Sequence, residues 1–339
     1  MGFDASVISG VNKFVQIQFN LSDLQLGFSV SSLTIVAALA MMFSGPLSDK
    51  YGRKLVLKYC ALIFTVSAIG SALATGFTSF LIFRMLGGLG VGASLIVAPM
   101  YIAEIAPASK RGRLVSFNQL KIVLGITIAF FTNYYILSLA DHTSSWVSNY
   151  GIAEHNWRWM LGIEALPAIV YFFALFSVPK SPRWLMSKGN ENKATAVLQR
   201  FISVEETAEE IKAIKAALNN INSSRKTPIT ELFKPAMRLV LTIGIVVSVL
   251  QQITGINAVF FYAPMIFEQS GIGTNASFIQ AVLVGRTNLL FTIIAMALID
   301  RLGRKPLLIA GVSGIVLFMG LLSYGFGSAT YTLDTAQVA

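Results

Sequence analysis

The sequence predicts an all-α membrane protein on three observations: few charges, apolar runs of spanning length, and cations confined to alternate gaps. Of the 339 residues, 55% are hydrophobic and 12% charged, whereas soluble domains run near ~25% charged. Nine apolar runs lie near 1–19, 27–48, 55–75, 79–103, 114–140, 157–178, 238–267, 276–299 and 306–327, most close to the ~20 residues a helix needs to cross the hydrocarbon core. Lys50, Arg53, Lys54 and Lys58 follow the second run, and Lys110, Arg111 and Arg113 follow the fourth. The stretch Lys180–Arg238 follows the sixth, and Arg301, Arg304 and Lys305 follow the eighth. Gaps 20–26, 76–78, 141–156 and 268–275 hold no Lys or Arg, so the basic gaps are the cytoplasmic ones. The net charge of +10 is thus a topology signal and argues against a nucleic-acid partner. Cys60 stands alone, which excludes an internal disulfide, and no metal or cofactor is expected.

No cleavable leader precedes the first run, which has almost no flank, and the ninth run is followed only by SATYTLDTAQVA. An odd number of runs with such ends leads us to expect a chain truncated at both ends. The polar stretch 180–237 reads as a cytoplasmic linker with short helices at Asn192–Phe201 and Glu205–Leu218, where apolar residues recur at helical spacing. It separates a six-helix bundle at 1–179 from a three-helix partial bundle at 238–339.

These two parts are related. Asp49-Lys-Tyr-Gly-Arg-Lys54 follows the second run and Asp300-Arg-Leu-Gly-Arg-Lys305 follows the eighth, which makes the chain a repeat of six-span units. In such a turn glycine permits a tight reversal, the carboxylate favours a helix start, and the cations hold the turn in the cytoplasm. A gate that trades ion pairs and a purely topogenic turn both fit. Gly88-x-Gly90-x-x-Ala93 matches a dinucleotide fingerprint but follows no strand, so close helix packing is the expected reading. No nucleophile–histidine constellation exists, since His142 and His155 both fall in an external gap; an enzyme is not expected.

The seventh run contains QQITGIN, three large amide side chains in apolar surroundings. On an unbroken helix Gln251, Gln252 and Asn257 diverge by about 100–140°. They converge only if the helix breaks, and Gly255 lies between them, with Pro264 further along. Amides suit a polyhydroxyl ligand because each offers two donors and an acceptor without net charge. Interhelical amide glue is the competing reading of the residues alone.

GFDASVISG, GPLSDKYGRK, APMYIAEIAPASKRGRL, SFNQL, WRWM, PKSPRWL, QQITGIN and DRLGRKPLL together resemble the sugar porter family of the major facilitator superfamily. The resemblance implies the major facilitator fold, two six-helix bundles around a central site, with an incomplete C-terminal bundle and about nine helices here. It implies sugar contacts at Gln119, Gln251, Gln252, Asn257 and Asn288, with Phe261 where the family often has tyrosine. It implies proton coupling through Asp4 and Arg84, with Glu164 as a second acid; a structural ion pair is the alternative. It implies a cytoplasmic gate of Asp49, Arg53, Glu104, Arg111, Arg183, Asp300 and Arg304. Lys180 departs from the family by replacing a usual glutamate. Lys121 and Arg286 are also unusual, and snorkelling, pairing with Glu164 or each other, and contact with an acidic ligand stay open.

The function expected is secondary active transport of a hexose or pentose by proton symport and alternating access. A facilitative sugar or inositol-like polyol uniporter is the alternative; a non-transporting sugar receptor or an inactive fragment belongs to another class. Expected partners are a small-molecule sugar, protons and the lipid bilayer, for a multi-pass monomer in a plasma membrane or bacterial inner membrane.

Overall fold

The protein was analysed as a computed structural model that describes residues 2–107, 111–141, 145–223 and 233–328. The described residues are almost entirely helical, with no strand among them. The first run is α1 (Gly2–Gln18), followed by α2 (Asp23–Tyr51), α3 (Arg53–Ala72), α4 (Phe77–Ile105) and α5 (Arg111–Ala140). A short external helix, α6 (Ser145–Asn149), leads to the sixth crossing, which is split into α7 (Asn156–Gly162) and α8 (Ala165–Ser177). Three cytoplasmic helices follow: α9 (Pro182–Ser187), α10 (Glu191–Leu198) and α11 (Val204–Ser223). The seventh crossing is split into α12 (Pro235–Ile253) and α13 (Ile256–Gln269), and α14 (Thr274–Leu302) and α15 (Arg304–Ser328) complete the order. Eight crossings are long and apolar enough to span a membrane; α1, with 17 residues, is the short one.

Local chemistry fixes the helix boundaries. Ser22 caps α2 in a reciprocal box: its hydroxyl accepts from the Gln25 N–H at 3.3 Å and Gln25 Oε1 accepts from the Ser22 N–H at 3.0 Å. The repeated turns behave alike, with Gly52 at φ 92° between α2 and α3 and Gly303 at φ 80° between α14 and α15, a region that side chains with a Cβ rarely enter. Ser181 caps α9 and Pro182 opens it, a start signal the sequence reading passed over.

Helix α4 is threaded between α2 and α3. A methyl group at Gly88 or Gly92 would collide with the α2 backbone at Leu33 and Ala37, and one at Gly87 with Ser67 of α3. The glycine string is therefore a packing surface. Two apolar cores flank it, one toward the outside around Val11, Phe80, Trp157 and Phe278, the other toward the cytoplasm around Leu57, Phe64, Val97 and Leu175. Helices α9 to α11 carry a small core of their own, Leu185, Ala194, Leu198, Ile211 and Ile214. Contacts of α1 with α13 and of α5 with α14 bring the early helices against the late ones.

Candidate functional site

Asp4 of α1 and Arg84 of α4 form an ion pair at 3.0 Å, with both side chains 2% exposed. Arg84 also donates to the Asp4 backbone carbonyl at 3.4 Å. Gly87, one turn beyond Arg84, leaves the space that the second Asp4 oxygen approaches. Asp4 Oδ2 and Arg84 Nε have no hydrogen-bond partner among the described residues. Glu164 is 5% exposed and neighbours both members of the pair. It sits at the gap between α7 and α8, where Pro167 cannot donate the backbone bond that the Ile163 carbonyl would accept. One cation thus faces two carboxyl groups. The centre is neutral with one proton bound and carries a negative charge without it.

The second break contains the amides. Helix α12 ends at Ile253, Gly255 adopts φ 73°, and α13 begins at Ile256. This left-handed residue redirects the chain, so that Asn257 Nδ2 donates to Gln252 Oε1 at 2.9 Å. Gln251, Gln252 and Asn257 are all exposed. Phe260, one turn on, stacks against Phe130 of α5 at 6.3 Å between ring centroids.

The remaining predicted contacts follow from helix faces. Gln119, Val123, Ile126 and Phe130 lie on one stripe of α5, and that stripe meets α13 and α14 through Phe130. On α14, Ala281, Gly285 and Asn288 share a stripe that meets α5 where Thr127 donates to the Gly285 carbonyl at 2.9 Å. Gln119 and Asn288 therefore stand on facing stripes, both on the cytoplasmic side of the Phe130–Phe260 contact. Lys121 does not join them. It is about 200° from Gln119 on α5, on a stripe whose other members Phe117, Leu124, Ile128, Phe131 and Tyr135 are exposed. This face suits a snorkelling lysine and turns it away from Glu164. Arg286 is also exposed.

At the cytoplasmic end Arg53 is 7% exposed and bridges Asp49 at 2.8 Å and Glu104 at 2.9 Å. Ser181 donates to the other Glu104 oxygen, and Trp184 Nε1 donates to the Asp49 carbonyl at 3.1 Å. Arg111 instead pairs with Glu210 of α11 at 3.1 Å. Arg183 and Arg304 are exposed; the Asp300 side chain and His142 lie outside the described residues.

The sequence reading missed the external seam. Lys13 of α1 pairs with Glu268 of α13 at 3.0 Å and donates to Thr274 Oγ1 at 3.2 Å. Asn12 donates to the Phe261 carbonyl at 2.9 Å, just before Pro264, and Asn275 donates to Asp141 at 2.8 Å. Among the described residues, the polar links between early and late helices run from mid-membrane outward. The signal available in the sequence was one lysine near the external end of the first run.

Paired spanning helices, a buried charged centre and amides gathered at a helix break define a multi-pass membrane carrier of the major facilitator kind. A family profile described as "Sugar (and other) transporter" matches residues 2–338. An arabinose-proton symporter of Bacillus subtilis (strain 168) is 37% identical over 325 residues, covering 96% of this chain and 68% of the relative. A D-xylose-proton symporter of Escherichia coli (strain K12) is 36% identical over 364 residues, covering 100% of this chain and 71% of the relative. The inward open conformation of the xylose transporter XylE from E. coli superposes with a TM-score of 0.78 at 32% identity, covering 98% of this chain and 73% of that one. The chain belongs to the sugar porter family of the major facilitator superfamily.

Proposed function

We propose that the protein carries a monosaccharide, hexose or pentose, across its membrane together with a proton by alternating access. One observation carries the coupling: two acids, Asp4 and Glu164, share one buried cation, Arg84. Binding a proton neutralises the group, and a neutral centre tolerates rearrangement inside a bundle far better than a charged one. The sugar is assigned to the space lined by Gln119, Gln251, Gln252, Asn257 and Asn288, with Phe130 and Phe260 offering apolar surface. Opening toward the cytoplasm is governed by Asp49, Arg53 and Glu104, joined during the cycle by Arg111, Arg183, Asp300 and Arg304.

The division into a bundle at 1–179, a linker at 180–237 and a second group of helices at 238–339 is part of this reading, as are a monomeric carrier and a plasma or bacterial inner membrane. The carrier acts by binding and release without covalent chemistry. The deciding experiment is uptake of radiolabelled xylose, arabinose and glucose into reconstituted vesicles, with and without an imposed proton gradient. Accumulation above the external concentration that collapses with a protonophore is the expected result. Uptake that equilibrates and ignores the protonophore would reassign the protein to facilitated diffusion.

A further inference from the structure

A pocket of about 230 Å³ opens at the cytoplasmic end of α3, lined by Arg53, Lys54, Lys58, Lys180, Ser181 and Trp184 among others and by no Asp or Glu. Arg53 is already matched by Asp49 and Glu104. The three lysines are not. Lys54 donates to the Phe176 and Val178 carbonyls at 3.1 and 2.6 Å. Lys58 sits 3.2 Å above the Phe176 ring and Lys180 5.3 Å above the Trp184 ring. All of these contacts are neutral, and among the described residues none of the three lysines takes part in an ion pair. Lys54 and Lys58 are one turn apart on a single face of α3, and Lys180 neighbours Lys54 from the start of the linker. Three like charges held together repel one another, and among the described residues no carboxylate pairs with them.

We propose that this pocket binds a phosphate-bearing anion. Its position favours the head group of an anionic phospholipid in the cytoplasmic leaflet. Lys58 lies about 7 Å along α3 from Arg53 by helical rise, just inside the membrane boundary that the basic turns define. Leu55 of the pocket wall and Phe176, whose ring lies beneath Lys58, are exposed large apolar side chains and offer acyl chains an apolar surface. Clustered basic residues at the cytoplasmic face attract anionic head groups in this manner. The pocket wall also includes Ser181 and Trp184, which bond Glu104 and the Asp49 carbonyl. An occupied pocket would hold α9 against the α2–α3 turn and steady the ion pairs of Arg53 with Asp49 and Glu104.

The test uses the full chain in neutral detergent and native mass spectrometry, titrated separately with phosphatidylglycerol and phosphatidylcholine, and tryptophan fluorescence titrated with inorganic phosphate. Lys180→Glu and Lys58→Gln are compared with the unmodified chain; Lys180 is exposed, so reversing its charge leaves the packed helices untouched. The expected result is first-site binding of phosphatidylglycerol about tenfold tighter than phosphatidylcholine, with that preference lost in both variants. Inorganic phosphate binding with the same lysine dependence, without any phosphatidylglycerol preference, would keep the phosphate site and assign it a soluble occupant. Equal binding of the two lipids together with no response to phosphate, or a preference unchanged in both variants, would overturn the proposal.

Discussion

The sixth and seventh crossings are both broken near their middles, yet the two breaks differ in the side chains they hold and in how these are packed. The α7–α8 break is packed shut: Glu164 is 5% exposed and the neighbouring Asp4 and Arg84 are each 2% exposed. At the α12–α13 break Asn257 bonds Gln252 across the turn, and the side chains of α12 beside it, apolar Leu250 and Ile253 as well as Gln251 and Gln252, are exposed. Proline produces the first break by withholding a donor, and Gly255 produces the second by reversing the sign of φ. A charge taken out of water is tolerated only where a well-placed counter-charge and further hydrogen bonds repay its desolvation. Neutral amides need no such enclosure and can face a wet cavity, where they exchange water for the hydroxyls of a solute. Under the proposed reading the proton belongs to the closed break and the sugar to the one that carries the amides.

The strongest way to break that division is Asp4→Asn. It leaves Glu164 as the one acid facing Arg84, and protonating that acid would strand a buried cation at a cost of about 3–5 kcal/mol where nothing else compensates. Accumulation against a gradient is expected to vanish, with residual uptake indifferent to a protonophore, while sugar binding measured by titration calorimetry changes little. Loss of sugar binding in a protein that still folds would merge the two sites and end the assignment. Adding Arg84→Leu to Asp4→Asn removes the cation as well, and accumulation is expected to stay lost.

Next in size is Gln252→Ala, which removes one amide and leaves Asn257 without its partner. A net loss of about 1–1.5 kcal/mol corresponds to roughly tenfold weaker sugar binding. The double variant with Asn257→Ala is expected to fall short of the product of the singles, because the two side chains act as one hydrogen-bonded unit. Fully multiplicative losses would mean that the pair seen here dissolves when sugar binds. Proton-driven signals should survive in both variants.

Gly255→Ala examines how the amide-bearing break is made. A Cβ at φ 73° costs about 1–2 kcal/mol, and nothing crowds the added methyl. The expected outcome is a raised KM with the charged centre intact. An unchanged KM would show that the amides align without the left-handed residue.

Residue chemistry made these breaks unequally legible. Gly255 announced itself because three amides pointed apart unless the helix broke between them. Pro167 offered the same kind of signal at the other break, yet the run 157–178 read as one helix because its apolar surface was continuous. The repeated turns were legible from their identical Gly-Arg-Lys endings, and both glycines take positive φ. Lys121 was ambiguous by spacing alone and became clear only when the exposed stripe around it was known. Lys13 and Glu268 were not legible as a pair. They are far apart in sequence, and only the folded contact of α1 with α13 brings them together.

That external pair supplies the smallest and most discriminating expected effect. Lys13 is 42% and Glu268 18% exposed, so solvent screens the bond and its removal is worth about 0.5–1 kcal/mol. Lys13→Met also withdraws the bond to Thr274 and leaves the Glu268 carboxylate partly buried beside an apolar chain. Neither break is touched. The population closed to the outside should therefore fall by a factor of two to five, with sugar affinity and proton coupling both retained. A cysteine at Phe261 on a Cys60→Ser background, challenged with an impermeant thiol reagent from outside, reads that population directly. Faster labelling in Lys13→Met is expected, and restoration by Lys13→Arg separates a lost cation from a damaged helix. If labelling is unchanged, the apolar contacts of Phe130 with Phe260 and of Phe278 with the outer core hold the seam by themselves, and the two breaks are kept apart by packing alone.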